Sequence, residues 1–282
     1  MIVDGSELSV IDWLVAGYVI LFCLLWCGSY LISAHQVLFA PLFEKQNPPI
    51  PLHWPSLSIV IPACNEAHML RQTVEALLGQ EYPNLEIILV NDRSTDSTCE
   101  LIETMAATDA RVRGVNIEHL PAQWLGKVHA LHTGTQMARG EWMLYTDADV
   151  HFQPGTLYKA IAFALARQCD HLTLWPRFRT RSFWLEVVTV AFSLRFLNAT
   201  KPADLDIPES TSAIGVGAFN LVRKATLDKT EGFPWLRMEV VDDVGLGLLL
   251  KRVGARSCFA FARQHLTLAR LPQFAASRAV TY

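Results

Sequence analysis

The sequence predicts an α/β domain built on a mostly parallel sheet and carried on one amino-terminal transmembrane helix. Three observations predict it. Short β-forming runs alternate with stretches of helical period, which is the pattern of crossover-linked parallel strands. Several of those runs end in loops rich in Asn, Asp, Ser and Thr, and open sheets of this kind bind ligands at the carboxyl ends of their strands. Residues 13–34 carry no formal charge and are rich in Leu, Val, Ile, Phe and Trp. At about 1.5 Å per residue they reach across a hydrocarbon core of about 30 Å.

The segment reads as a membrane helix rather than a cleaved leader, which would have a basic start and a shorter apolar run, whereas Asp4, Glu7 and Asp12 precede this one and no Lys or Arg does; the alternative is a buried core helix. The first basic residue beyond it is Lys45, which places the carboxyl-terminal side in the cytoplasm. Pro41, Pro48, Pro49, Pro51 and Pro55 then punctuate a segment read as a stiff linker. The expected organisation is a short segment 1–12, a membrane helix 13–34, a linker 35–55 and a catalytic domain 56–282. That domain divides into a nucleotide-binding half, 56–150, and an acceptor half, 151–282.

Leu57 to Ile61 is the first strand, with Pro62-Ala63-Cys64-Asn65-Glu66 as its turn. A helix follows, with Leu70, Val74, Leu77 and Leu78 on one face. Leu85 to Val90 is the second strand, and the polar run Asn91 to Thr98 caps the next helix. Val112 to Ile117 is a third strand, and a helix over 127–138 leads to a strand from Trp142 that ends in Asp147-Ala148-Asp149. Two carboxylates so close call for a cation or for water, and hard oxygen ligands favour Mg²⁺ or Mn²⁺.

The second half is less regular. Leu172 to Trp175 reads as a strand. Residues 183–197 form a helix that is apolar on most of its surface, either a core helix or one lying in a membrane interface with Trp184 and Phe192 in lipid. Gly215-Val216-Gly217 enters a strand without a dinucleotide fingerprint. Asp242-Asp243 opens a late helix, with Leu246, Leu249 and Leu250 inward and Lys251, Arg252 and Gly254 at its end.

Composition narrows the function. A net charge of −3 over 282 residues gives no basic face for nucleic acid. The 51% hydrophobic content follows from the membrane segment. The six cysteines form no Cys-x-x-Cys pair and suggest neither a disulfide framework nor a zinc site. His129 and His132 are expected to be solvated or packed rather than metal ligands.

Taken together, Ile61 to Glu66, Asn91 to Asp96, Trp124-Leu125-Gly126-Lys127, Asp147-Ala148-Asp149 and Asp242-Asp243 resemble a family 2 glycosyltransferase with the GT-A fold, over roughly residues 58–254. The resemblance implies that Pro62, Ala63, Asn65, Glu66 and Asp92 hold the nucleoside of a nucleotide-sugar donor, a UDP-sugar above others. It implies that Gly126 and Lys127 reach the diphosphate, that Asp147 and Asp149 bind nucleotide and divalent metal, and that Asp243, beside Asp242, is the base of an inverting displacement. The Trp-x-Gly-Lys element and the membrane helix look most like members that glycosylate lipids, including hopanoid- and carotenoid-associated and ceramide-type enzymes. The implied acceptor is a lipid or lipid-linked molecule at the membrane.

No Gln-x-x-Arg-Trp motif lies between Gly254 and Tyr282, which argues against a processive polymer synthase. The chain stops at Tyr282 before the further membrane helices of many relatives, which leaves a shortened acceptor half or surface contact through 183–197. The competing expectations are a non-catalytic nucleotide-sugar sensor or assembly scaffold, which would need no base, and a nucleotidyltransferase. The latter would place a Gly-rich loop with a basic residue after the first strand.

Overall fold

The computed structural model describes residues 9–180, 182–205, 210 and 212–268. Asp4, Glu7 and the tail after 268 lie outside the described residues. Helix α1 covers Val10–Phe39, longer at both ends than the expected span. Ser9 and Asp12 close its amino end as a capping box. It is the one described helix long and apolar enough to cross a membrane, and none of its most apolar stretch is buried in the protein.

The segment expected as a linker does more than connect. Phe43 sits in a short 3-10 turn, Phe43–Lys45, and is fully buried. Its ring meets Phe163 at 5.9 Å and His265 at 4.9 Å, while the Pro41 carbonyl accepts a hydrogen bond from the Phe261 amide. Prolines forbid a helix here but not docking, and one aromatic residue carries no periodicity to reveal it. Phe43→Ala is expected to cost about 3–5 kcal/mol, read as a lowered denaturation midpoint; an unchanged midpoint would mean that the fold is independent of this segment.

The elements follow in order: β1 Leu57–Ala63, α2 Ala67–Leu78, β2 Leu85–Asp92, α3 Thr98–Thr108, β3 Val112–Ile117, α4 Gly126–Met137, β4 Trp142–Tyr145, β5 Val150–Phe152 and α5 Thr156–Ala166. The second half adds β6 His171–Trp175, β7 Arg177–Phe178, α6 Phe183–Thr200, β8 Asn220–Arg223, α7 Lys224–Leu227, α8 Asp242–Arg252, β9 Ser257–Phe261 and β10 Leu266–Leu268. Seven strands form one sheet in the order β3-β2-β1-β4-β8-β6-β9. All pairs are parallel except those of β8, which runs antiparallel to β4 and β6. A small second sheet, β5-β10-β7, stands beside it.

The alternating residues of β1 explain why the sheet is buried on both sides. Ile59 and Ile61 face α2, α3 and α5, whereas Val60 joins Ile88, Met143, Val128 and Leu246 on the side of α4 and α8. Both faces are covered, so the strands read as near-continuous apolar runs. Helix α5 has no polar stripe for the same reason, and β9 lies after the last motif; neither was expected.

One expectation about cysteine is corrected. Cys169 and Cys258 form a disulfide across 89 residues of sequence. The parallel pairing of β6 with β9 brings them together, and no local spacing could announce it.

Helix α6 is not a core helix. Trp184 is 74% and Phe192 59% exposed, as are most of its large apolar residues. Polar contacts tie it and the turn after it to α1: Asn198 donates to Ser33 Oγ at 2.8 Å, and Gln36 accepts from the amide of Ala203, just past the end of α6, at 2.8 Å.

Candidate active site

The carboxyl ends of β1, β2 and β4 open on a pocket of about 320 Å³. The β1 loop supplies Pro62, Ala63 and Glu66, β2 supplies Asp92, the start of α4 supplies Lys127, and the turn after β4 supplies Asp147 and Asp149. Cys64, Ala148 and Leu268 complete the lining. Cys64 and Ala148 lie within motifs read from the sequence but were given no role there; Leu268 was missed, because it arrives from the small sheet.

Two expected donor residues do not line it. Asn65, at φ 58°, spends its side-chain oxygen on the amides of Thr95 (2.7 Å) and Asp96 (3.2 Å), tying the first loop to the second. Gly126 sits under the Asp92 carboxylate, where any Cβ would collide with it. That carboxylate is buried and receives Arg93 Nε at 2.7 Å and Nη2 at 3.2 Å. Both residues therefore shape the pocket from behind. Arg93 was not expected, although its place next to Asp92 was visible.

Lys127 is the electrostatic centre. Its Nζ lies 2.8 Å from Asp147 and 3.7 Å from Asp242. Burial would lower its pKa, but Asp147 and Asp242 outweigh burial and raise it, so the ammonium persists. Asp149 forms no ion pair among the described residues: burial, then Asp147, pushes its pKa up to about 6 against a weaker pull from Lys127. Glu66 is raised for the same reasons, by burial and then by Asp149 and Asp147.

Asp242 and Asp243 stand on the far side of Lys127. Burial raises Asp242 to about 6 against the pull of Lys127. Asp243 is raised too, again by burial, and is oriented by two backbone donors, the Gly217 amide at 2.9 Å and the Val244 amide at 2.8 Å. The chain reaches that position because Gly217 continues the β4–β8 pairing, its carbonyl accepting from the Asp147 amide at 3.1 Å. A Cβ there would stand 2.6 Å from Asp147 Oδ2, which is too close. The Gly-rich run was noticed in the sequence, but its work against Asp147 and Asp243 was not.

Among the described residues no three His, Cys, Asp or Glu converge as a metal-binding group. Asp147 and Asp149 therefore offer two hard oxygen ligands at most. That donor set fits Mg²⁺ or Mn²⁺, which are commonly held by one or two carboxylates with substrate phosphates and water completing the shell. His129 and His132 pack against Trp124, with ring centroids 5.4 and 5.1 Å away.

Known proteins resemble this chain in sequence and fold. The chain is 28% identical over 223 residues to the 4,4'-diaponeurosporenoate glycosyltransferase of Staphylococcus aureus, covering 78% of this chain and 56% of that protein. A putative teichuronic acid biosynthesis glycosyltransferase of Bacillus subtilis is 28% identical over 115 residues, 41% of this chain and 44% of the relative. The chain thus spans about half the length of these relatives. Among solved structures, the mannosyltransferase PcManGT from Pyrobaculum calidifontis, in complex with GDP-Man and Mn²⁺, superposes with a TM-score of 0.66 at 20% identity, over 91% of this chain and 68% of its own. Residues 1–349 of S. aureus TarS, in complex with UDP-GlcNAc, give 0.52 at 16% identity, over 79% and 61%. These superpositions establish the GT-A fold. Residues 58–230, more than half of the sequence, match the model of glycosyl transferase family 2, and the chain belongs to that family.

Proposed function

We propose that the protein moves a sugar from a nucleoside diphosphate donor, a UDP-sugar, to a hydroxyl of a lipid or lipid-linked acceptor at the membrane. The observation that carries this reading is the meeting of Lys127, the Asp147-Ala148-Asp149 turn and the Asp242-Asp243 pair at one sheet edge. The lipid class is supported by the relative named for a carotenoid acid and by the exposed apolar helices α1 and α6. The anchored domain, 56–282 in the expected division with Phe43 added, faces the cytoplasm.

Pro62, Ala63, Glu66 and Asp92 hold the nucleoside, with Asn65 and Gly126 fixing their loops. Lys127 turns from Asp147 and Asp242 to the diphosphate, where its fixed charge stabilises the leaving group without a proton transfer. A cation held by Asp147 and Asp149 would add positive charge at the same leaving group. Asp243 takes the proton of the acceptor hydroxyl as its oxygen bonds to the anomeric carbon and the bond to the diphosphate breaks. One displacement inverts that carbon.

The test is thermal shift of the detergent-solubilised chain with a panel of nucleoside diphosphates and nucleotide sugars, with and without Mn²⁺. Positive donors are then incubated with membrane lipid extract, and products are separated by chromatography. A cation-dependent shift with a UDP-sugar and a labelled lipid product is the expected result. A shift without any transfer to lipid would favour the sensor reading.

A further inference from the structure

A second cavity, of about 350 Å³, lies between α6 and β7. On the α6 side it is lined by the apolar Val190, Leu194 and Leu197 together with Glu186, Thr189 and Ser193, and Val37 of α1 closes one end. Arg177 and Arg263 line the opposite side. Neither guanidinium enters an ion pair among the described residues, although Arg263 lies over the Phe261 ring at 5.1 Å. The acidic group in the cavity is Glu186, so two positive charges face one negative. Two arginines beside the exposed apolar residues of α6, Trp184, Val188 and Phe192, suit an amphiphile with an anionic head.

The depth of the cavity names the source. Helix α1 spans 30 residues, about 45 Å of helix, against a hydrocarbon core of about 30 Å. Its first stretch is bare, whereas Ser33, Gln36 and Val37 touch α6 and the domain. With the span expected over 13–34, Ser33 lies at its end and Gln36 and Val37 just past it, where the lipid headgroups would begin. The groove opens along the exposed face of α6 at that level, continuous with the anchor. We infer that this groove binds the phosphate headgroup of an anionic bilayer phospholipid, with Arg177 and Arg263 on the phosphate and its acyl chains along α6. The inference rests on the membrane-anchored reading of α1. It adds a docking site that sets the domain's tilt, separate from the donor pocket, with Phe178 of the groove and its strand partner Leu268 of the pocket forming the wall between them.

The full chain is reconstituted in nanodiscs containing phosphatidylcholine and phosphatidylglycerol, released gently, and its retained lipid measured by native mass spectrometry. Phosphatidylglycerol retained over phosphatidylcholine by about tenfold or more is expected, falling to parity in the R177Q/R263Q double variant and surviving in R177K. Retention unchanged by the double variant, or equal retention of both lipids by the natural chain, overturns the groove. Displacement by inorganic phosphate alone, at the same affinity, overturns the bilayer source. A chain that fails to enter nanodiscs overturns the anchor and the inference with it, whereas an inserted chain without bound phosphatidylglycerol overturns the inference alone. Nucleotide-sugar thermal shift should be the same in the double variant, which confirms that its fold and donor pocket are intact.

Discussion

Asp149→Asn is expected to lower sugar transfer on the order of 10²–10³-fold and to abolish the Mn²⁺ dependence of donor binding. Asn keeps the shape but removes one of the two carboxylates proposed to hold the cation. It also removes a titration. Because the carboxyl of Asp149 is raised to about 6, it holds a proton below that pH and releases it above. Cation and proton compete for the same oxygens, so Mn²⁺ affinity in the natural protein should fall as pH drops through about 6, approaching tenfold per unit when one proton is displaced. Isothermal titration at pH 5 and pH 7 measures both effects. Metal-dependent donor binding that survives in the variant would remove Asp149 from the metal site.

Asp243→Asn should act on a different step. Loss of the base is expected to lower kcat on the order of 10²–10⁴-fold, with donor affinity nearly unchanged, because Asp243 stands behind Lys127 and outside the pocket lining. The carboxylate accepts from the amides of both Gly217 and Val244, and Asn can satisfy only one of them through oxygen. Losing the other bond costs about 1–3 kcal/mol, so thermal denaturation has to accompany the kinetics. Equal transfer rates in a folded variant would exclude the role. Reduced rates explained by a weaker donor affinity would move Asp243 into the nucleotide site.

The strands and acids of the first half were legible because burial on both faces writes itself as apolar runs and because loops at strand ends concentrate polar residues. Ile59, Ile87 and Leu144 are examples of the first, and Asp92 and Asp149 of the second. What was illegible depends on distant pairing. Leu268 enters the candidate pocket only through the small sheet, and Cys169 meets Cys258 only through β6 and β9. Asn65 illustrates a different limit: its residue type suits a ligand contact and a loop brace equally, and only geometry shows that the oxygen is already used. For α6, apolar composition left a core and a membrane interface as alternatives, and the exposure of Trp184 and Phe192 removes the core.

The direction of β8 has a consequence for the polarity of the edge that holds the candidate site. Strands that run parallel arrive there carbonyl end first, and the side chains they deliver here are largely acidic. β8 runs the other way, so the backbone reaches the same edge amino end first and presents an N–H, that of Gly217, to Asp243. A peptide amide neither titrates nor changes when a side chain is exchanged. The donor that steadies the proposed base is therefore secured by chain topology, and an insertion that shifts the register before β8 would remove it where a point substitution leaves the N–H itself in place.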